Sequence, residues 1–230
     1  MPSVADTFAK VADGYDRLNR ILSLGLDVAW RRRALARLGG TGEPPARLLD
    51  IATGTADFAI AAARRFPSTH VEGIDLTPEM LEIGRRKVAA AGLADRIRLS
   101  RGDAAALPYE EGTFDAAICA FGFRNFPDRA VSLAEAARIL RNGGRLVVLE
   151  FFRPRSALLG AMTSCWLRCA SALFAARLAG EYAYLRQSIA KTCTADVFAE
   201  EARRAGFDVE RTELFLPACS CLVLRKCGKL

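Results

Sequence analysis

Residues 48 to 75 confine the fold more than any other stretch of this 230-residue chain. Leu48-Leu49-Asp50-Ile51 is an apolar run of strand length, and Ala52-Thr53-Gly54-Thr55-Ala56-Asp57 leaves it through small residues into a helix predicted over Asp57–Phe66. Small residues let a backbone approach a ligand closely. A second strand, Val71–Ile74, ends in Asp75, and an acidic residue about 20 positions beyond such a turn is placed to accept hydrogen bonds from ribose hydroxyls. A helix over Pro78–Ala91 completes a βαβα unit. Each feature alone has a plainer reading: tight packing for the turn, a helix cap for Asp75 ahead of Leu76-Thr77-Pro78. Together they point to a nucleotide-type cofactor.

The alternation continues with strands near Ile97–Leu99 and at Phe114–Cys119, a helix over Asp128–Leu140, and a strand at Arg145–Phe151 after Asn142-Gly143-Gly144. Strands separated by helices predict a mostly parallel sheet with helices on both faces, an α/β Rossmann-like fold. Two further β-rich segments around Pro217, Asp208–Leu214 and Cys219–Leu224, predict an antiparallel edge hairpin and bring the sheet to seven strands. The length suits one domain. Within it we expect a helical cap over 1–40, a cofactor-binding core over 46–152, a helical insertion on the substrate side over 153–206, and edge strands over 207–230. Arg101-Gly102-Asp103-Ala104 follows the third strand, so Asp103 shares the carboxyl edge of the sheet with Asp75, where a carboxylate could accept from the exocyclic amine of an adenine.

Charge and cysteine content narrow the setting. The net charge is +7, which favours polyanions or anionic lipid headgroups as neighbours, yet the basic residues come in short groups such as Arg31-Arg32-Arg33 that read as solvated helix faces. No RNA-binding module or aromatic-basic interleaving accompanies them, so nucleic acid is not an expected partner. Seven cysteines without a disulfide-scaffold spacing imply a reducing compartment, and a single histidine, His70, gives no metal site. No secretory pattern opens the chain, so a cytoplasmic protein is expected. Its most apolar stretch, Ala157–Ala176, contains Arg168 and is followed by Arg177, as suits a buried or interfacial helix better than a membrane span.

These segments resemble the class I S-adenosylmethionine methyltransferases, and more narrowly the ubiquinone/menaquinone biosynthesis C-methyltransferase family, over nearly the whole chain. The resemblance rests on Tyr15-Asp16-Arg17-Leu18-Asn19, Asp50 to Asp57, Gly73-Ile74-Asp75 with Pro78-Glu79-Met80-Leu81, Gly102-Asp103-Ala104, Phe114-Asp115, Ile139 to Leu146, Leu149-Glu150-Phe151 and Tyr184 to Ile189. Its most diagnostic segment is Phe121-Gly122-Phe123-Arg124-Asn125. The resemblance implies S-adenosyl-L-methionine as cofactor, with Thr55 at the methionine end, Asp75 at the ribose, Asp103 and Ala104 at the adenine, and Ala120 alongside; Asp50, Gly54 and Leu76 belong to the same cofactor set. Ala56 stands where the family generally has glycine and Ala120 where serine is common, so crowding of the cofactor by the Ala56 methyl, or an altered turn, is expected.

The implied reaction is methyl transfer to a ring carbon of a demethylated isoprenoid quinol, with demethylmenaquinol preferred and a ubiquinone precursor kept as the alternative. Arg124 and Asn125 are the expected catalytic residues, stabilising a ring phenolate or orienting a water as base, with pairing to Asp128 as the plainer reading of Arg124. Tyr15, on an N-terminal helix folding over the pocket, is a third candidate. Leu158, Leu159, Met162 and Trp166, with Arg153, Arg155 and Arg168, could form either core or an interfacial patch for an anionic membrane surface at the inner face of the membrane. A homodimer is compatible with this reading. Two alternatives stay open: methylation of another small molecule, and a catalytically silent scaffold, which Ala56 and Ala120 favour and the retained Asp75, Asp103, Arg124 and Asn125 oppose.

Overall fold

The computed structural model describes residues 16, 20, 23, 25–38, 43–156, 158–165, 187–214 and 219–228. Most of the expected N-terminal cap, including Tyr15, and the middle of the helical insertion with Trp166, Arg168 and Tyr184 lie outside them.

Seven strands form one sheet: β1 (Arg47–Ile51), β2 (His70–Asp75), β3 (Ile97–Arg101), β4 (Phe114–Ala120), β5 (Leu140–Phe151), β6 (Phe207–Leu214) and β7 (Cys219–Lys226), in the order β3-β2-β1-β4-β5-β7-β6. β1 to β5 are parallel, and β7 runs antiparallel to both β5 and β6. The late strands form the expected antiparallel pair at the sheet edge, with β7 as its inner member. The chain overshoots to the edge as β6, then returns between it and β5, so that Leu222 and Leu224 enter the core.

Helices cover both faces. α1 (Leu26–Leu38), α2 (Asp57–Arg65) and α3 (Pro78–Ala90) pack on one, where Leu48, Val71 and Ile118 meet Trp30, Leu35, Phe58 and Leu81. α4 (Arg129–Ile139) and α5 (Ala195–Arg204) cover the other, over Leu49, Ile51, Ala117 and Val148. Because β1 alternates its side chains between two buried faces, every residue after Arg47 is apolar or, at Asp50, a buried polar exception. Helix starts follow local chemistry. Pro78 opens α3, and the Asp128 carboxylate caps α4 by accepting from the amides of Ala130 at 2.9 Å and Val131 at 3.1 Å.

β5 begins earlier than the Asn142-Gly143-Gly144 turn predicts. Leu140 already pairs with Phe114, and the register then jumps to Ala116 opposite Arg145, so the Asn-Gly-Gly segment is a bulge within the strand, with Gly143 at φ +74°. What matters for function is the reversal of strand order. After β1 the chain builds β2 and β3 outward on one side, then crosses to place β4 on the other. Open α/β sheets bind ligands at the carboxyl ends of strands flanking such a switch.

Candidate active site

At that switch point β1 leaves the sheet through a tightly curled turn. Ala52, Gly54 and Ala56 all have left-handed backbones, at φ 55°, 53° and 67°. Only glycine adopts this region freely, so two alanines in one turn store about 1–2 kcal/mol each, as is common beside functional sites. Two bonds hold the turn: Thr53 N to the Ile74 carbonyl, 2.8 Å, and Gly54 N to the Asp75 carboxylate, 2.9 Å. The second Asp75 oxygen accepts from Thr77 N at 2.9 Å. Asp75 thus fixes the exit turns of both β1 and β2. Burial pushes its carboxyl up from the ordinary range.

A cavity of about 440 Å³ opens there. Gly54, Asp75, Leu76, Asp103, Ala104, Ala120 and Asn125, all expected from the sequence, line it, together with Met80 and Phe126. Its floor is made of small residues, Ala52, Gly102, Ala120 and Gly122. A Cβ on Gly122 would come within 2.8 Å of Cys119 Sγ and 3.0 Å of Ala52 Cβ, so the signature glycine is required for close packing of the two strand exits. Asp103 is exposed at the rim, its carboxylate accepting from Ala105 N at 2.8 Å.

A narrow polar extension adjoins it, sharing Ala52, Gly54 and Ala120 in its wall, and is bordered by Asp50 and Thr55 as expected, and also by Asp16, Arg31, Thr53 and Asp57. Asp50 is wholly buried. Desolvation pushes its carboxyl up to about 7, opposed by the Thr53 hydroxyl bonded to it at 2.7 Å and by the charge of Arg31. The Thr55 hydroxyl donates to Asp16 and accepts from Lys87 Nζ at 3.1 Å; Lys87 also reaches Asp57 at 2.5 Å. Ala56 lines neither region. Its methyl group is fully buried in the core, toward Gly84 on α3.

The Phe121–Asn125 segment forms a tight bend. Phe121 takes a left-handed backbone at φ 60°, and Phe123–Asn125 make one 3₁₀ turn. The Phe121 carbonyl accepts from Arg124 Nη1 at 2.6 Å and from Asn125 Nδ2 at 3.2 Å. Arg124 does not pair with Asp128, which is occupied in capping α4. It pairs instead with Glu150 on β5 at 2.7 Å. Asn125 faces the cavity; Arg124 lies behind it, not on its wall. Glu150 escaped the sequence reading although a lone acid inside Val147–Phe151 was a usable signal. Arg31, read as part of a solvated group, is buried with Trp30, Ala34, Leu35 and Leu38, while Arg32 and Arg33 are exposed. The helical spacing of those four residues was the cue.

Comparison with known proteins agrees with this geometry. The ubiE/COQ5 methyltransferase family matches residues 2–221. The chain is 44% identical over 208 residues to a demethylmenaquinone methyltransferase of Deinococcus radiodurans, covering 89% of this chain and 85% of that one. It is 40% identical over 205 residues to one of Thermus thermophilus, covering 88% and 91%. A methyltransferase solved with the Haloferax volcanii Trm112 activator shares the fold at a TM-score of 0.71 and 18% identity, covering 99% of this chain and 100% of that one. Matched along nearly its whole length by sequence and by fold, the chain belongs to the ubiE/COQ5 methyltransferase family.

Proposed function

We propose that this chain transfers a methyl group from S-adenosyl-L-methionine to a ring carbon of demethylmenaquinol. The observation that carries the reading is the cavity at the carboxyl ends of β1 to β4, which brings Asp75 and Asp103 to one wall and shares small residues with the polar extension at Thr55 and Asp50. Its size and its two acidic acceptors fit an adenosine, and the polar extension fits an amino-acid tail. The substrate class comes from the relatives named demethylmenaquinone methyltransferase.

Asp75 accepts from the ribose hydroxyls, Asp103 accepts from the adenine amine with Ala104 against the ring, and Leu76 covers the nucleoside. Thr55 and Asp50 serve the methionine end, and Ala120 lies where the two halves join. Bound there, the cofactor supplies an electrophilic methyl group. A quinol ring carbon becomes nucleophilic when a ring hydroxyl loses its proton, so catalysis depends on favouring the phenolate and aligning it. Arginine is a poor base at neutral pH. Arg124, held by Glu150 behind the cavity wall, stabilises the phenolate through its charge or orients the water that takes its proton, and Asn125 positions the ring from the wall itself. Tyr15 is proposed as a hydrogen-bond donor to the quinol.

The isoprenoid tail requires contact with a bilayer. Leu158 and Met162 are 71% and 50% exposed on the helical residues 158–165, with Arg153 and Arg155 beside them, as suits a peripheral site on an anionic membrane. Among the described residues no helix is long and apolar enough to cross a membrane.

Methylation of demethylmenaquinol by the purified protein is the primary test; turnover of a ubiquinone precursor in its place would reassign the substrate, and turnover of neither would overturn the reading. Arg124→Ala is expected to retain cofactor binding and lose most turnover, whereas Asp75→Ala weakens cofactor binding first. Flotation with anionic but not neutral vesicles tests the membrane site, which fails if neither binds.

A further inference from the structure

An amino-acid tail in the polar extension needs a cation for its carboxylate, and none of the residues assigned above supplies one. The extension is narrow, about 20 Å³, and among the described residues Arg31 is the basic one in its wall, beside Asp16, Asp50, Thr53, Thr55 and Asp57. Lys87, the other nearby cation, lies outside that wall and is shared between Asp16 and Asp57.

Arg31 comes from the buried face of α1, its side chain 8% exposed. Nη1 donates to Asp27, one turn earlier. Nε is buried without a hydrogen-bond partner among the described residues. The guanidinium carbon lies 5.8 Å from the centre of the Phe121 ring, which places it beside the strand exit that carries Ala120. Balancing Asp27 requires one ammonium-like contact, which a lysine would provide. The remaining Nε edge is what distinguishes an arginine, because a guanidinium presents a planar fork that matches a carboxylate. A buried donor left without an acceptor costs free energy that packing does not return.

We infer that Arg31 anchors the α-carboxylate of S-adenosylmethionine, with the α-ammonium toward the acidic side chains of the same wall. The assignment rests on the cofactor reading above. The tail enters by displacing the Asp16 carboxylate from the narrow extension, and the carboxylate then accepts from the free edge of Arg31 while Asp27 retains the other. Arg31 is thereby a cofactor-binding residue that discriminates for the carboxylate, and thus against decarboxylated analogues.

The test is calorimetric titration, without quinol, of S-adenosylmethionine, decarboxylated S-adenosylmethionine and 5′-methylthioadenosine into the wild type, Arg31→Lys, and the charge-neutral pair Asp27→Asn with Arg31→Gln. A buried charge-assisted contact corresponds to roughly ten- to a hundredfold in affinity. Expected is a loss of about that size for S-adenosylmethionine in the double variant, a smaller loss in Arg31→Lys, and less than about a twofold change for the two ligands lacking the carboxylate. Equal losses for all three ligands in Arg31→Lys, or no loss for S-adenosylmethionine, would overturn the assignment. So would a wild type that binds the decarboxylated compound as tightly as the parent, with the cofactor site itself intact. A wild type that binds none of the three overturns the cofactor reading and this inference with it. If the double variant misfolds by circular dichroism, Arg31→Lys, which keeps the pair with Asp27, decides alone.

Discussion

Arg124 Nη1 donates to Glu150 Oε1 at 2.7 Å, and the two side chains are 7% and 1% exposed. Glu150 also accepts from the amide of Arg124 at 3.1 Å and from that of Phe151 at 2.8 Å. The carboxylate therefore holds both the backbone and the guanidinium of Arg124 from a strand in the middle of the sheet. Breaking a buried pair from one side leaves an uncompensated charge and costs about 3–5 kcal/mol. Glu150→Gln, which keeps the shape, should lower stability in urea unfolding by about 2–4 kcal/mol and reduce turnover at least about tenfold, with cofactor affinity changed by less than about twofold. Unchanged turnover in a folded Glu150→Gln protein would mean that the role proposed for Arg124 does not depend on Glu150.

The Asp50 carboxyl offers a pH-dependent signature. Desolvation lifts it from 3.8 to about 7 against the Thr53 hydroxyl and the Arg31 charge. A folded-state value above the unfolded one means that the native protein holds the proton more tightly. This contribution is complete below about pH 4 and is lost as pH rises through about 7. Its upper limit is about 4 kcal/mol, at about 1.4 kcal/mol per pKa unit. The difference in unfolding free energy between wild type and Asp50→Asn, measured from pH 4 to pH 8, should therefore fall steadily as pH rises and flatten above about 7. A difference independent of pH would show that Asp50 is ionised throughout.

The residues legible in the sequence are those whose placement is local. Asp75 ends a strand and Asp103 follows one by two residues, and the alternation of strands and helices sends such ends to one edge, so these two, with Gly54 in the first turn, could be gathered without knowing a single tertiary contact, while Ala120 comes from the family resemblance. Glu150 and Arg31 could not. Each acquires its meaning from a partner brought near by packing: Glu150 because β5 lies beside β4 with its Phe121–Asn125 extension, Arg31 because α1 lies on the sheet face that holds Asp50. Strand order at the far edge was hidden for the same reason. Alternation predicts β6 and β7 as strands, while the insertion of β7 beside β5 depends on which of the two has the more apolar pair of faces, and Cys219–Leu224 does.

Ala56 and Gly84 interlock across α2 and α3. A Cβ built on Gly84 would lie 3.3 Å from the Ala56 methyl and 2.9 Å from Leu99 Cδ1, so the alanine at 56 takes up space that the glycine at 84 leaves open. Ala56→Gly relieves a left-handed alanine worth about 1–2 kcal/mol but loses a buried methyl and gains unfolded-state entropy, each near 1 kcal/mol. The expected net change in stability is within about 1 kcal/mol, and the affinity for S-adenosylmethionine should stay within about twofold. Gly84→Ala should instead destabilise by about 1–3 kcal/mol through overpacking. Substantially tighter cofactor binding by Ala56→Gly would show that the methyl does oppose the cofactor.

Lys87 ties the N-terminal segment to the cofactor turn. Its Nζ lies 2.5 Å from both Asp16 and Asp57 and 3.1 Å from the Thr55 hydroxyl, with the three charged side chains 27%, 35% and 23% exposed. One ammonium between two carboxylates does more than a single surface pair, because removing it leaves like charges facing each other across Thr55. Partial exposure moderates the effect, so Lys87→Met is expected to cost about 1–2 kcal/mol and Asp16→Asn in that background to restore part of it. A double-mutant cycle on Asp16 and Lys87 should give a coupling near 1 kcal/mol at low salt that shrinks in 1 M sodium chloride, where charges are screened within about 3 Å. Absence of coupling would mean that Asp16 does not close over Thr55 in solution, and that the polar extension is open to the cofactor tail without displacing it.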